Sequence, residues 1–119
     1  MVCLTVTERS VRGVTILELG GRLVLEDGAL VLRDHVNRLV EQGRINLVLD
    51  MGEVTHLDSG GIGMLVAKYL SVHRKGGRIK LLHLTPRSAH LLTITKLCTV
   101  FEAFESEAEA LRSFDTTPA

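Results

Sequence analysis

The run His56-Leu57-Asp58-Ser59-Gly60-Gly61-Ile62-Gly63-Met64 gathers the residues of this chain best suited to chemistry. From Asp58 to Gly63 it puts a carboxylate, a neighbouring hydroxyl and three glycines into six positions. The hydroxyl could act as a nucleophile, and the glycines could cradle a phosphate. Alternatively, the acid and hydroxyl could cap a helix, carry a modification or face a partner. The run follows the near-continuously apolar Ile45–Asp50 and opens an amphipathic stretch that ends near Lys75. It therefore falls where a strand hands over to a helix. A helix N-terminus offers unpaired backbone N–H groups and a partial positive charge, which suit a cap, an anion or a docking partner.

The catalytic readings are weak. Asp58-Ser59-Gly60-Gly61 has the four letters that surround the nucleophile of trypsin-like serine proteases, and His35 and His56 lie upstream. That chemistry needs a base and an orienting acid within hydrogen-bond reach, on a much longer double β-barrel. The nucleophile-elbow pattern fails because Leu57 stands where it requires glycine. A Walker-type phosphate loop fails too, since no Lys-Ser/Thr pair follows the glycines. Capping by Asp58 or Ser59 is the plainest role, worth about 1 kcal/mol. A cap needs one such residue, whereas this turn has several, which points to a recognition surface.

The remaining composition narrows the class. With 119 residues, 45% hydrophobic and 24% charged, the chain reads as one ordinary globular domain, residues 1–119, with a frayed tail over 115–119. Fourteen basic residues balance fourteen acidic ones and aromatics make up only 3%. Neither a phosphate-backbone footprint nor a stacking platform is present, so nucleic acid is not an expected partner. Cys3 and Cys98 lie far apart in apolar surroundings, as reduced thiols do, and the histidines show no metal spacing. No cofactor is expected. The start of the chain lacks signal-peptide features and no apolar run approaches the ~20 residues of a membrane span. The expected location is the cytoplasm.

Periodicity supplies the elements that hold the turn. Leu4–Glu8 alternates as an edge strand, and Val14–Leu19 pairs with it as a hairpin ended by Gly20-Gly21. Between Asp27 and Gln42 the period becomes helical, with Ala29, Leu32, Val36, Leu39 and Val40 on one face. Ile45–Asp50 reads as a central strand covered on both faces. The helix after the turn buries Ile62, Leu65, Val66 and Tyr69, which leaves Met64, Lys68, Ser71 and Lys75 on the outer face. Arg78–Leu84 is a strand, Pro86–Lys96 a helix burying Ala89 and Leu92, Val100–Ala103 a short strand and Glu105–Phe114 a last helix. The order ββαβαβαβα predicts an α/β domain, a mixed sheet of four to five strands covered by about four helices.

These features together resemble the STAS domain, and within it the stand-alone anti-sigma factor antagonists of bacteria. The family pattern D-S-S-G-L-G after an aliphatic strand ending in Asp is matched by Leu47-Val48-Leu49-Asp50 and then Asp58-Ser59-Gly60-Gly61-Ile62-Gly63. Gly21-Arg22-Leu23 stands at the family's G-x-L, Gly76-Gly77 precedes the fourth strand, Pro86 follows it, and Thr95-Lys96-Leu97 with Phe101 matches the T-G-L…F stretch. The resemblance implies a non-enzymatic protein, a monomer or weak dimer, that binds a serine-kinase anti-sigma factor and frees a sigma factor. It also implies phosphorylation by that kinase on the second hydroxyl of D-S-S-G, and removal by a phosphatase. Here that position is Gly60, and Val24 replaces the usual Asp after G-x-L. Either Ser59, or the nearby Thr55, takes the phosphate, or docking proceeds without that control. The docking surface implied comprises Asp58, Ser59, Gly60, Gly61, Gly63, Met64, Lys68 and Ser71, with Leu23 in the Gly20–Glu26 loop. The alternative is a constitutive STAS scaffold, a subunit of a larger regulatory or lipid-transport assembly.

Overall fold

The computed structural model describes residues 4–25 and 28–115. Five strands form one sheet in the order β1-β2-β3-β4-β5. They are β1 (Leu4–Val11), β2 (Val14–Leu23), β3 (Asn46–Leu57), β4 (Arg78–Leu82) and β5 (Ala103–Phe104). β1 and β2 make the antiparallel hairpin, turning at Arg12 and Gly13, both with positive φ. The remaining neighbours pair in parallel. The helices are α1 (Gly28–Glu41), α2 (Ser59–Arg74), α3 (Pro86–Ile94) and α4 (Glu107–Asp115).

The period-two alternation of the central strands sends side chains to two cores. Leu47 and Leu49 of β3 join Leu17, Leu19 and Leu81 under α1, α2 and α3, which contribute Leu32, Val36, Leu65 and Leu92. Val48, between them, points the other way and joins Val14, Ile16 and Leu82 under Ala110 of α4. Lys80 also lies on that side, almost fully buried. Its Nζ donates to Ser113 Oγ at 2.8 Å and sits 4.7 Å from the Phe114 ring centroid, which fixes the end of α4 to the sheet. Among the described residues, no helix is long and apolar enough to cross a membrane.

The strands next to the turn run further than periodicity predicts. Gly20-Gly21 does not end β2. The two residues lie at irregularities of the β2–β3 ladder, opposite Glu53 and Val54, and Gly21 takes φ 105°. Beyond these bulges the pairing resumes and reaches Leu23 opposite Leu57. β3 likewise continues past Asp50 to Leu57, so α2 begins two residues after the sheet ends. The bulges thus carry the end of β2 to the N-terminus of α2.

The C-terminal third departs differently. α3 stops at Ile94, Lys96 turns the chain with φ 62°, and a 3-10 turn covers Leu97–Thr99. The expected strand at Val100–Ala103 is displaced to Ala103–Phe104, because Phe101 is buried edge-to-face against Tyr69 at 5.2 Å. Cys98 is exposed, contrary to its apolar neighbours in sequence; Cys3 and the tail 116–119 lie outside the described residues, while Asp115 closes α4.

Ion pairs clip the edge strand to both layers. Glu8 meets His35 of α1, whose Nε2 lies 2.9 Å away, and also Arg44, while Arg9 pairs with Glu107 of α4. The hydrogen bond with His35 holds the Glu8 carboxyl below the usual carboxylate range, against desolvation and with help from Arg44. The hydrogen bond from Arg9 does the same for Glu107. A depressed folded-state value means the stabilisation is fully present above the unfolded-chain value of about 4.3 and is lost as pH falls through the folded value. Thermal melts between about pH 3 and 6 should therefore show a midpoint dropping on acidification, and a shallower drop in Glu8→Gln and Glu107→Gln chains. Equal slopes in all three would remove these pairs from the acid transition.

Candidate functional site

The turn at Asp58 is where the ends of β2, β3 and α2 meet. Asp58 adopts an extended backbone and caps α2: the Gly61 N–H donates to its Oδ1 at 2.7 Å. Its other oxygen, Oδ2, accepts from the Leu25 N–H at 3.4 Å, across the gap to the β2–α1 loop. One carboxylate thus ties the loop to the helix start. Ser59 is the first helical residue and is exposed, so capping falls to Asp58 and leaves the serine hydroxyl to solvent. Thr55 and His56, at the end of β3, are exposed beside it.

The glycines differ in what they permit. A Cβ on Gly61 would stand 3.0 Å from the Leu23 carbonyl carbon and closer still to its oxygen, so this glycine lets α2 approach the end of β2. Gly60 faces Leu25. Gly63 has nothing within 4 Å of where a Cβ would sit. The cluster therefore divides into two packing glycines and one that leaves open surface.

The outer face of α2 is rotated from the one periodicity predicts. Met64, Lys68 and Ser71 are half-buried, and Lys68 Nζ donates to Asn37 Oδ1 of α1 at 2.7 Å. The exposed line runs instead through Gly63, Ala67, Leu70 and Arg74. Leu23 is fully buried in the core, so its side chain does not reach the surface; the exposed side chain of its loop is Leu25, at 55%. The sequence reading placed the surface on the Gly20–Glu26 loop, which holds Leu25, but named Leu23 there, and it did not name Ala67 or Leu70.

Two hollows lie elsewhere. One of about 380 Å³ is lined by Tyr69, His73, Arg78 and Lys80; the other, about 560 Å³, by Thr7, Glu18, Asp50 and His83. Neither includes a residue of the 58–63 turn.

A comparison of the sequence with known families matches the STAS domain over residues 6–110. The chain belongs to the STAS domain family. Among relatives, this STAS domain is 24% identical over 104 residues to the anti-sigma F factor antagonist of Paenibacillus polymyxa, covering 87% of this chain and 89% of that one. It is 38% identical over 69 residues to the anti-sigma-B factor antagonist of Bacillus subtilis (strain 168), covering 58% of this chain and 62% of that one. Among solved structures, the fold matches an anti-sigma factor antagonist from Mycobacterium paratuberculosis with a TM-score of 0.83, at 21% identity and 95% coverage of both chains. That last likeness is one of fold.

The STAS turn gives Asp58 two separable roles. Asp58→Ala removes both hydrogen bonds and should cost about 1 kcal/mol by urea denaturation. Asp58→Asn keeps a good capping oxygen and should lie within about 0.5 kcal/mol of the parent. If both variants cost the same, the cap does not reside in that oxygen.

Proposed function

We propose that this STAS domain is an anti-sigma factor antagonist. It docks on a serine-kinase anti-sigma factor and so releases a sigma factor. It works by recognition in the cytoplasm, needs no cofactor and catalyses no reaction. The docking surface in this reading is the turn Asp58–Gly63, the exposed α2 line through Ala67 and Leu70, and Leu25 of the β2–α1 loop. The observation that carries it is the Asp58 carboxylate bridging helix and loop, which joins two segments into one surface. Preorganisation of this kind lowers the ordering cost of association. The names of the two sequence relatives support the same reading.

Phospho-control in this reading is weak or absent. Gly60 has no hydroxyl, and the exposed hydroxyls nearby are Ser59 and Thr55. A phosphoryl group on either would add about −1.5 to −2 charge beside Asp58 and disfavour an acidic or apolar partner face. The test is a pull-down from native lysate with ATP and with ADP, followed by intact-mass measurement. Recovery of a kinase-like anti-sigma factor with both nucleotides, with at most partial phosphate on Ser59 or Thr55, is expected. A stoichiometric phosphate mapped elsewhere, or no such kinase recovered, overturns the proposal.

Gly60 also favours a second reading, a constitutive STAS scaffold within a larger assembly, since a scaffold needs no switch. Size-exclusion chromatography of the lysate separates the two. A monomer or dimer bound to one kinase supports the antagonist, and a large particle supports the scaffold.

A further inference from the structure

Gly60 is enclosed by a residue that sequence alone gives no reason to place there. A Cβ on Gly60 would stand 3.0 Å from both Cα and Cδ1 of Leu25, and closer still to its Cβ. Two of those three atoms belong to the stem of Leu25. A rotamer change clears the Cδ1 but not the stem, so a side chain at position 60 requires the loop itself to move. The loop is anchored on both sides of Leu25. Before it, Leu23 pairs with Leu57 and is fully buried. Val24 O accepts from the Ala29 N–H at 3.1 Å, and the Leu25 N–H is held by Asp58.

We propose that Leu25 occupies the side-chain space of position 60, so that this turn is closed to modification there by packing as well as by chemistry. In its functional consequence the proposal rests on the antagonist reading. It adds a regulatory residue: Leu25 is a positioning residue that fixes the turn in its docking shape whatever the nucleotide state of the kinase. Leu25 and Gly60 are then a coupled pair. A Gly60→Ser chain should not become a substrate, because its hydroxyl either has no room or displaces the loop. Removal of the Leu25 side chain should open the position. The Gly60→Ser hydroxyl could then take the γ-phosphoryl of ATP on its oxygen, releasing ADP and the hydroxyl proton.

The experiment compares the parent chain, Gly60→Ser, Leu25→Gly and the double variant. Thermal midpoints need no partner. Gly60→Ser should lower the midpoint by about 5 °C in the parent and by no more than about 2 °C in the Leu25→Gly background. Equal losses in the two backgrounds overturn the coupling. Each chain is then incubated with ATP and the kinase recovered by the parent chain, and phosphate is mapped by mass spectrometry. Phosphate at position 60 in the double variant only is the expected result. Phosphate there in Gly60→Ser alone, or in neither variant while the double variant still captures the kinase, overturns the assignment of closure to Leu25; if the double variant no longer captures the kinase, the thermal cycle decides. If the parent recovers no kinase, the antagonist reading fails, while the thermal cycle still decides the pairing of Leu25 with Gly60.

Discussion

Alanine at Gly61 is expected to lower the free energy of unfolding by about 3 kcal/mol, at the upper end of what overpacking costs. The new methyl would drive into the Leu23 carbonyl group, which is backbone and cannot rotate away. Leu23 cannot retreat either, since it is fully buried and paired with Leu57 at the end of the β2–β3 ladder. Helix propensity works the other way, favouring alanine over glycine by about 1 kcal/mol, so the observed loss is net of that gain. Relief would require α2 to lift from the end of the sheet, which would also lengthen the hydrogen bond from the Gly61 N–H to Asp58. Urea denaturation measures the difference directly. A loss under about 1 kcal/mol would show that α2 shifts freely on the sheet, and the rigidity ascribed to the turn would go with it.

Why the sequence announced this turn and not its neighbours follows from the same contacts. The β–α handover was legible because Ile45–Asp50 is near-continuously apolar and Asp58-Ser59-Gly60 has the types that begin helices. The α1 stripe Ala29, Leu32, Val36, Leu39 and Val40 was legible from a 3.6-residue period; the first four are buried and Val40 is half-buried against the core. The length of β2 was not. Gly20-Gly21 has the same composition whether it ends a strand or bulges within one, and only the parallel partner β3 decides between the two. The orientation of α2 was half legible. Ile62 and Leu65 face the core as expected and Val66 and Tyr69 pack against it half-buried, but Met64, Lys68 and Ser71 are half-buried as well. A lysine and a serine gave no local sign of that, since Lys68 meets its partner Asn37 only through the tertiary fold. Leu25 was illegible for the converse reason. Its significance lies in the absent side chain of Gly60, far along the chain.

On the antagonist reading, arginine at Gly63 should abolish capture of the proposed anti-sigma factor without unfolding the domain, and alanine there should separate the two effects. Gly63 lies inside α2, where glycine is a poor helix former, and nothing within 4 Å of a Cβ at this position demands it. Packing explains Gly60 and Gly61 but gives no reason for Gly63. Alanine should raise stability by about 0.8 kcal/mol, the ordinary propensity gain. If the residue is small because a partner lies close over this turn, the same substitution should weaken binding about tenfold, or ~1.4 kcal/mol, the scale of a moderate interface contact. Arginine, too large to be absorbed, should leave no measurable capture. Thermal melts and titration of the recovered kinase read the two quantities independently. Stability and affinity moving in opposite directions at one exposed position is the signature of a site kept for its partner rather than for its fold. An arginine chain that binds as well as the parent would move the docking surface off α2.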